Sequence, residues 1–248
     1  MRTKTLGLWM GAVCVLWTAG AQAVRADEAK PVSIVSSPKV GDAVRYKTIL
    51  KISIQGNDIT VEQTRKHVVK EVKDNKDVVL AVEEEGGKVG AGGNDMDIPA
   101  GSPTAVTVDK ANKVLTFKPE KEDNPYLSTP CQHLMALIDR IILPDKPVKP
   151  GDSWTTEVDN PQVKGKKVTI KTTFVGDGKA GDASALKFKQ TLEAATDEKD
   201  AMLKAEATAL LDPATGQLIE EEQTAKGIPG TMGPVDWTGT IKRVKKDS

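Results

Sequence analysis

Apolar and polar residues alternate with a period of two along most of the chain. Ile52, Ile54 and Val61 would face one side of a sheet, and Lys51 and Glu62 would face the other. β-branched residues are frequent in these segments, and Gly, Asn, Asp or Pro interrupts them at short intervals. This pattern predicts a mainly β protein built from antiparallel strands.

The strand pattern occurs twice in the chain. A KVGDAV run begins at Lys39, and a KPGDSW run begins at Lys149, 110 positions later. Each run leads into a polar turn, a Thr-rich alternating segment, a further strand and a hairpin, with second-copy turns expected at Gly176–Gly181 and Asp212–Gly216. This shared order favours an internal duplication. We expect either one large curved sheet or two meander halves.

One segment departs from the β pattern. Ser128 can cap a helix, Pro130 suits its first turn, and Pro144 would end it. Between them, apolar residues recur at helical spacing: Cys131, Leu134, Met135, Ile138, Ile141 and Ile142. A helix of about 14 residues is too short to cross a membrane, which takes about 20. We expect it to pack its apolar stripe on the sheet, with Asp139 and Arg140 on its polar side.

The first residues have the pattern of an export signal. Arg2 and Lys4 precede an apolar run, and the small residues Ala23 and Ala26 each provide a cleavage site. We therefore expect residues 1–26 to be removed, with the cut after either alanine. The mature protein would then be periplasmic or extracellular.

These features divide the chain into four segments. Residues 1–26 form the cleaved signal, and 27–127 form the first β repeat. Residues 128–148 contain the amphipathic helix and a Pro-rich connection, and 149–248 form the second repeat. We expect a monomer whose mature chain has no transmembrane segment.

Charge argues against nucleic acid as a partner, and cysteine content argues against an internal disulfide. The full chain has 35 basic and 35 acidic residues, so it has no strong positive field that would attract nucleic acid. Cys14 lies in the predicted signal, which leaves Cys131 as the only cysteine of the mature chain. An internal disulfide is therefore excluded from the mature protein.

The sequence contains no recognisable catalytic or metal-binding motif. His67 falls in an alternating strand and His133 on the polar side of the helix, outside any known His motif. The acidic, Gly-rich loops at Gly92–Asp97 and Gly176–Asp182 do not match the calcium loop of an EF-hand. We predict no catalytic residue, no metal ligand and no cofactor.

The repeated Gly-Asp pairs allow two interpretations. Asp42 and Asp152 each follow a glycine before a strand, which is ordinary turn chemistry. Alternatively, one aspartate from each half could meet in a cleft and act as an acid–base pair. We favour the turn interpretation.

Short motifs carry a resemblance to known proteins. The Gly-Asp-x-Trp strand start within Pro147–Trp154 and the Asp212–Gly216 turn resemble those of a family of uncharacterised exported bacterial proteins. That resemblance covers most of the mature chain and implies no activity. Long antiparallel strands with a helix against them are also similar in architecture to lipoprotein-carrier sheets of the LolA and LppX kind. No functional residue of those carriers matches a position in this sequence.

These observations favour an exported, non-catalytic protein of unknown function, and binding of an apolar small molecule or an envelope partner is one hypothesis for it. A sheet curved around the helix would leave a gap beside Leu134, Ile138 and Ile141, near Trp154, and these four are the predicted ligand-binding residues. Side chains filling that gap are the alternative. Two other functions stay open: a carboxylate-dependent hydrolase, and a structural or partner-binding module acting through exposed strand edges.

Overall fold

The computed structural model describes most of the chain after the predicted export signal. The described residues are 30–54, 57–121, 127–196, 201–229 and 233–244. The predicted signal at residues 1–26 lies outside them.

Twelve strands and one helix make up the regular structure of the described residues. Six strands come first: β1 (Ala43–Ile54), β2 (Asn57–Val72), β3 (Val78–Ala91), β4 (Asn94–Ile98), β5 (Thr104–Val108) and β6 (Val114–Pro119). The helix α1 (Thr129–Ile138) follows. Six more strands complete the fold: β7 (Ser153–Asp159), β8 (Lys167–Ala180), β9 (Ala183–Ala195), β10 (Met202–Leu211), β11 (Leu218–Ile228) and β12 (Val235–Val244).

All twelve strands belong to a single open antiparallel sheet. The order is β6-β5-β3-β2-β1-β12-β11-β10-β9-β8-β7, and β4 pairs with β3 beside this path. The two parts of the chain meet where β1 pairs with β12, and β6 and β7 lie at the opposite edges. The predicted mainly β fold with antiparallel pairing is confirmed, in its single-sheet form.

One face of the sheet is buried, and we call it the inner face. Alternate residues of β8 to β10 point to it, as the period-two pattern predicts. The helix α1 packs there through Leu134, Leu137 and Ile138, which are 0 to 2% exposed. The predicted packing of an amphipathic helix on the sheet is thus confirmed.

The helix is shorter than predicted. Ser128 caps it as expected, but α1 ends at Ile138 rather than near Pro144. Beyond it, the amide of Ile142 donates to the side chain of Gln190 (2.9 Å) and that of Leu143 to the carbonyl of Ala111 (2.9 Å). These tertiary hydrogen bonds replace helical ones, so the chain leaves the helix while staying buried.

The two Gly-Asp motifs form turns with the same hydrogen bonds. In the first, the carboxylate of Asp42 accepts from the amide of Lys39 at 2.8 Å; in the second, that of Asp152 accepts from the amide of Lys149, also at 2.8 Å. Gly41 and Gly151 have φ of +92° and +93°, which only glycine adopts readily. Both motifs therefore use the same local geometry, although the internal duplication itself stays a prediction.

One predicted turn is misplaced. β8 continues through Gly176 to Ala180, and the chain reverses at Gly181 and Asp182 instead. A bulge between Phe174 and Gly176 lets the strand continue, and Gly176 has a φ of +127°. A glycine that permits a bulge gives the same sequence signal as one that permits a turn.

Candidate ligand-binding site

A cavity of about 720 Å³ lies between the inner face of the sheet and two segments that cross it. One segment, 33–39, precedes β1, and the other, 139–147, follows α1. Val32 and Val148 join the two segments through backbone hydrogen bonds of 2.8 and 3.0 Å. A cavity of this size falls within the range of small-molecule sites, about 300 to 1,000 Å³.

The walls of the cavity are mainly apolar. Aliphatic side chains reach it from β1 to β3, β5, β11 and β12 and from both crossing segments: Ile34, Val44, Val69, Val72, Val78, Leu80, Val108, Ile141, Leu143, Leu218 and Ile241. Such a lining excludes water from the walls and suits the hydrocarbon part of a ligand.

One region of the cavity lining is polar and contains the fully buried Glu221, and we call this region the deep end. Six side chains form it: Tyr46, Thr48, Arg65, Asp139, Arg140 and Glu221. His67 lies beside them, with its ring centroid 5.0 Å from that of Tyr46. Several ionisable groups therefore come together in this region of the cavity lining.

Strand register explains how residues far apart in sequence meet there. Tyr46 on β1 pairs with Arg65 on β2, and Thr48 on β1 pairs with Ile241 on β12. Ile241 in turn pairs with Glu221 on β11. Because paired residues point to the same face, all of them lie on the inner face across four neighbouring strands.

Asp139 links the helix end to the sheet. Its carboxylate accepts from Arg65 Nη1 at 3.0 Å through Oδ2 and from Gln223 Nε2 at 3.2 Å through Oδ1. Both oxygens are thus engaged by groups from β2 and β11. The C-terminal cap of α1 is fixed at the deep end as a result.

Arg140, the next residue, is held differently. Its Nη1 donates to the side-chain oxygen of Asn112 at 3.0 Å, and Asn112 donates back to the carbonyl of Ile141 at 3.1 Å. Among the described residues Arg140 has no carboxylate within ion-pair distance. Burial lowers its pKa, while Tyr46 and Asp139 act in the opposite direction.

Glu221 is the most unusual group of the deep end. It is 0% exposed, and within the described part of the chain neither carboxylate oxygen has a hydrogen-bond partner. Burial, and after it the charge of Asp139, holds the pKa of Glu221 well above its ordinary value. The environment therefore favours the neutral carboxylic acid over the carboxylate.

The surroundings of Tyr46 and His67 also favour the neutral forms of these side chains. Burial raises the pKa of Tyr46, with Arg140 and Arg243 opposing the shift. Burial, followed by the charges of Arg140 and Arg65, lowers the pKa of His67 well below its ordinary value. A neutral phenol and a neutral imidazole each offer one hydrogen-bond donor.

The four predicted ligand-binding residues lie in different places. Ile141 lines the cavity, whereas Leu134 and Ile138 are enclosed in the core cluster around α1. Trp154 is partly buried, contacts both core clusters and lies outside the cavity lining. The structure brings Ile141 alone of these four to the cavity.

The two repeated aspartates do not meet. Each is bound into its own turn, and β1 and β7, the strands that they precede, are six places apart in the sheet order. An acid–base pair made of Asp42 and Asp152 is therefore incompatible with the fold.

Residues outside the cavity have structural surroundings. Cys131 is 1% exposed and its thiol donates to the carbonyl of Pro229 at 3.2 Å. His133 stacks on Phe117 with ring centroids 5.6 Å apart, and burial lowers its pKa. No three His, Cys, Asp or Glu residues of the described ranges come together to hold a metal ion.

The sequence contained a partial signal for the deep end. Extending the alternation from Ile52 back along β1 places Tyr46 on the inner face. On β11, Glu221 and the buried Ala225 are an even number of residues apart and so share a face, but three consecutive glutamates at 220–222 hide which one points inward.

Asp139 and Arg140 gave the opposite signal, since a continued helix would have placed them on the polar side. That placement is wrong because the helix ends at Ile138.

Comparison with known proteins gives only distant similarity. No family model and no curated protein matches this chain. Among solved structures, a hypothetical lipoprotein YmcC from Escherichia coli K12 aligns with a TM-score of 0.31 and 14% identity, over 82% of this chain and 85% of that one. An exported protein with a YmcC-like fold from Bacteroides fragilis aligns with a TM-score of 0.38 and 13% identity, over 86% of this chain and 100% of that one. These values define neither a family nor an activity for the chain.

No helix of the described ranges is both long enough and apolar enough to span a membrane.

Proposed function

We propose that this chain is an exported, non-catalytic binding protein that holds a small molecule with an apolar body in the cavity. The observation that carries the proposal is the cavity itself, with aliphatic side chains in its walls and polar groups at the deep end. This combination is typical of ligand sites, where apolar walls supply affinity and few polar groups fix orientation. Export rests on the predicted signal at residues 1–26.

The predicted ligand-binding residues take two roles in this proposal. Ile141 contacts the ligand directly from the segment that crosses the cavity. Leu134 and Ile138 hold α1 against the sheet and so position Asp139 and Arg140, and Trp154 supports the core next to them. Buried aliphatic anchors of this kind keep a binding site in one geometry.

At the deep end, a hydrolase would use Asp139 and Glu221, the acidic residues found there. Asp139 has both oxygens engaged, and the oxygens of Glu221 are enclosed by protein atoms. A general acid or base must reach the substrate's proton within hydrogen-bond distance. The arrangement therefore supports binding better than hydrolysis.

The strand-edge alternative has less support. The edge strands β6 and β7 contain six and seven residues, the former ending in Pro119. Short edges and a terminal proline are features by which proteins limit pairing with other chains. We accordingly propose a monomer whose partner is the small molecule.

Dye binding to the purified protein tests the proposal. We expect the uncharged dye 1-N-phenylnaphthylamine to bind the natural protein with increased fluorescence, and a Val44→Trp substitution to abolish this because Val44 lines the cavity. Lys51→Trp is the matched control, since Lys51 lies on the same strand but exposed on the outer face. Circular dichroism verifies that both variants fold.

Native mass spectrometry of the gently purified protein gives a second measurement. A co-purifying apolar molecule that Val44→Trp eliminates would support the proposal. Absence of both dye binding and a co-purified molecule from the natural protein would refute it.

A further inference from the structure

The cations around the deep end differ in whether a carboxylate lies close to them. Arg65 is paired with Asp139 at 3.0 Å and lies 3.7 Å from Glu84, and Arg243 lies 3.5 Å from Asp212. The guanidinium of Arg140, in contrast, has no carboxylate partner among the residues that the structure describes.

Glu221 does not neutralise Arg140. Its buried surroundings and the neighbouring Asp139 favour the protonated, neutral form. Among the described residues Arg140 thus has no carboxylate within ion-pair distance, and Asn112 fixes its position through a neutral amide hydrogen bond of 3.0 Å. A buried cation is costly unless an anion pairs with it.

Hydrogen-bond donors line the cavity together with Arg140. Tyr46 has a phenolic hydroxyl, the neutral His67 has one ring N–H, and Arg140 has further N–H groups beyond the one bound to Asn112. All three residues line the cavity. A group that accepts several hydrogen bonds and bears one negative charge would satisfy them together, and a carboxylate has this chemistry.

The rim adds a weaker effect of the same sign. Four exposed lysines line it with two exposed aspartates: Lys39, Lys76, Lys110, Lys146, Asp42 and Asp145. An excess of positive charge at the entrance attracts anions from solution.

We propose that the cavity takes an aliphatic monocarboxylate head first, with its carboxylate on Arg140 and Tyr46 and its chain along the aliphatic walls. This inference rests on the proposed function and specifies its ligand class. The residues that bind the head group come from β1 and from the segment after α1. The site therefore depends on α1 ending at Ile138 rather than near Pro144.

Three probes with one chain and different head groups test the inference: dodecanoate, dodecanol and dodecylamine. Each is titrated as a competitor of the dye at pH 8 and below its micelle concentration. We expect dodecanoate to bind about ten-fold more tightly than dodecanol, as one charge-assisted interaction would give, and dodecylamine to bind least.

Variants locate the selectivity. Arg140→Gln should lower the affinity for dodecanoate about ten-fold and leave that for dodecanol unchanged, whereas Arg140→Lys should retain the preference. Lys171→Gln, which changes an exposed lysine of β8 outside the cavity lining, is the matched control and should alter neither affinity appreciably.

The outcomes separate this inference from the proposed function. Equal binding of dodecanoate and dodecanol, or tighter binding of dodecylamine, would overturn the carboxylate site while leaving an apolar binding protein. A preference for dodecanoate that Arg140→Gln retains would also overturn it. Failure of the dye and all three probes to bind the natural protein would overturn both.

Discussion

At the scale of single residues, Glu221 is the group that ordinary folding principles explain least. An unpartnered buried carboxyl destabilises a fold, and most buried polar groups have partners. Glu221 nevertheless lies at 0% exposure in the middle of the sheet, near Asp139. Strongly perturbed groups in a cavity are candidates for functional sites. A neutral carboxylic acid at this position is consistent with a binding site whose lining also contains the positively charged Arg140.

Replacing Glu221 by glutamine should stabilise the protein increasingly as pH rises. The pKa of Glu221 is raised in the folded state, so its favourable contribution is present below the pKa of an unfolded glutamate and is lost as pH rises through the folded pKa. Gln does not titrate. Relative to the natural protein, the free energy of unfolding of Glu221→Gln should therefore increase between pH 5 and pH 8, by at most about 1.4 kcal/mol per pH unit.

Urea denaturation at the two pH values measures this difference. Glu222→Gln serves as the control, because the neighbouring side chain is exposed on the outer face and should matter little at either pH. A stability difference for Glu221→Gln that is the same at pH 5 and pH 8 would contradict the assignment of a buried, neutral carboxyl.

At the scale of elements, the repeated Gly-Asp turns begin β1 and β7 in the same way. In both turns the glycine amide donates to the neighbouring strand, Gly41 to Val69 at 2.9 Å and Gly151 to Phe174 at 2.7 Å. The sequence alone indicated both turns, because glycine and aspartate act through local geometry. The end of α1 was not predictable in this way, since it depends on the distant partner Gln190.

Alanine at either turn glycine should destabilise the protein by about 1 to 2 kcal/mol. Within the described ranges, no heavy atom other than those of the adjoining residues lies within 4 Å of the position that a Cβ would occupy at Gly41 or Gly151, so the cost comes from the positive φ. Thermal or urea unfolding of Gly41→Ala and Gly151→Ala measures it, with the exposed Thr155→Ala as a control on β7. Unchanged stability in both glycine variants would mean that the turns adopt another backbone conformation.

At the scale of the whole molecule, one continuous sheet joins the two parts of the chain. β1 pairs with β12 over nine residue pairs, and the core cluster around α1 combines residues such as Val69 and Val106 with Val168 and Leu203. Neither part has a separate core around this helix. The segments 27–127 and 149–248 remain predicted repeats, but the sheet that they build is shared.

We therefore expect the mature protein to unfold in one cooperative transition. Trp154 and Trp237, on β7 and β12, report on distant positions of the sheet through their fluorescence. Their fluorescence and the far-ultraviolet circular dichroism should follow the same urea curve. Two separate transitions would instead indicate repeats that fold independently.

The sequence by itself determined the mainly β fold, the two Gly-Asp turns and the apolar helix, because alternation, glycine geometry and helical spacing act over a few neighbouring residues. It also indicated that Tyr46 points inward. Only the tertiary structure decided that the helix stops at Ile138, and that Arg140 and Glu221 then meet at one end of a cavity. Pairing between β1 and β12 and packing against α1 join residues from both ends of the chain, and no local pattern encodes which of them become neighbours.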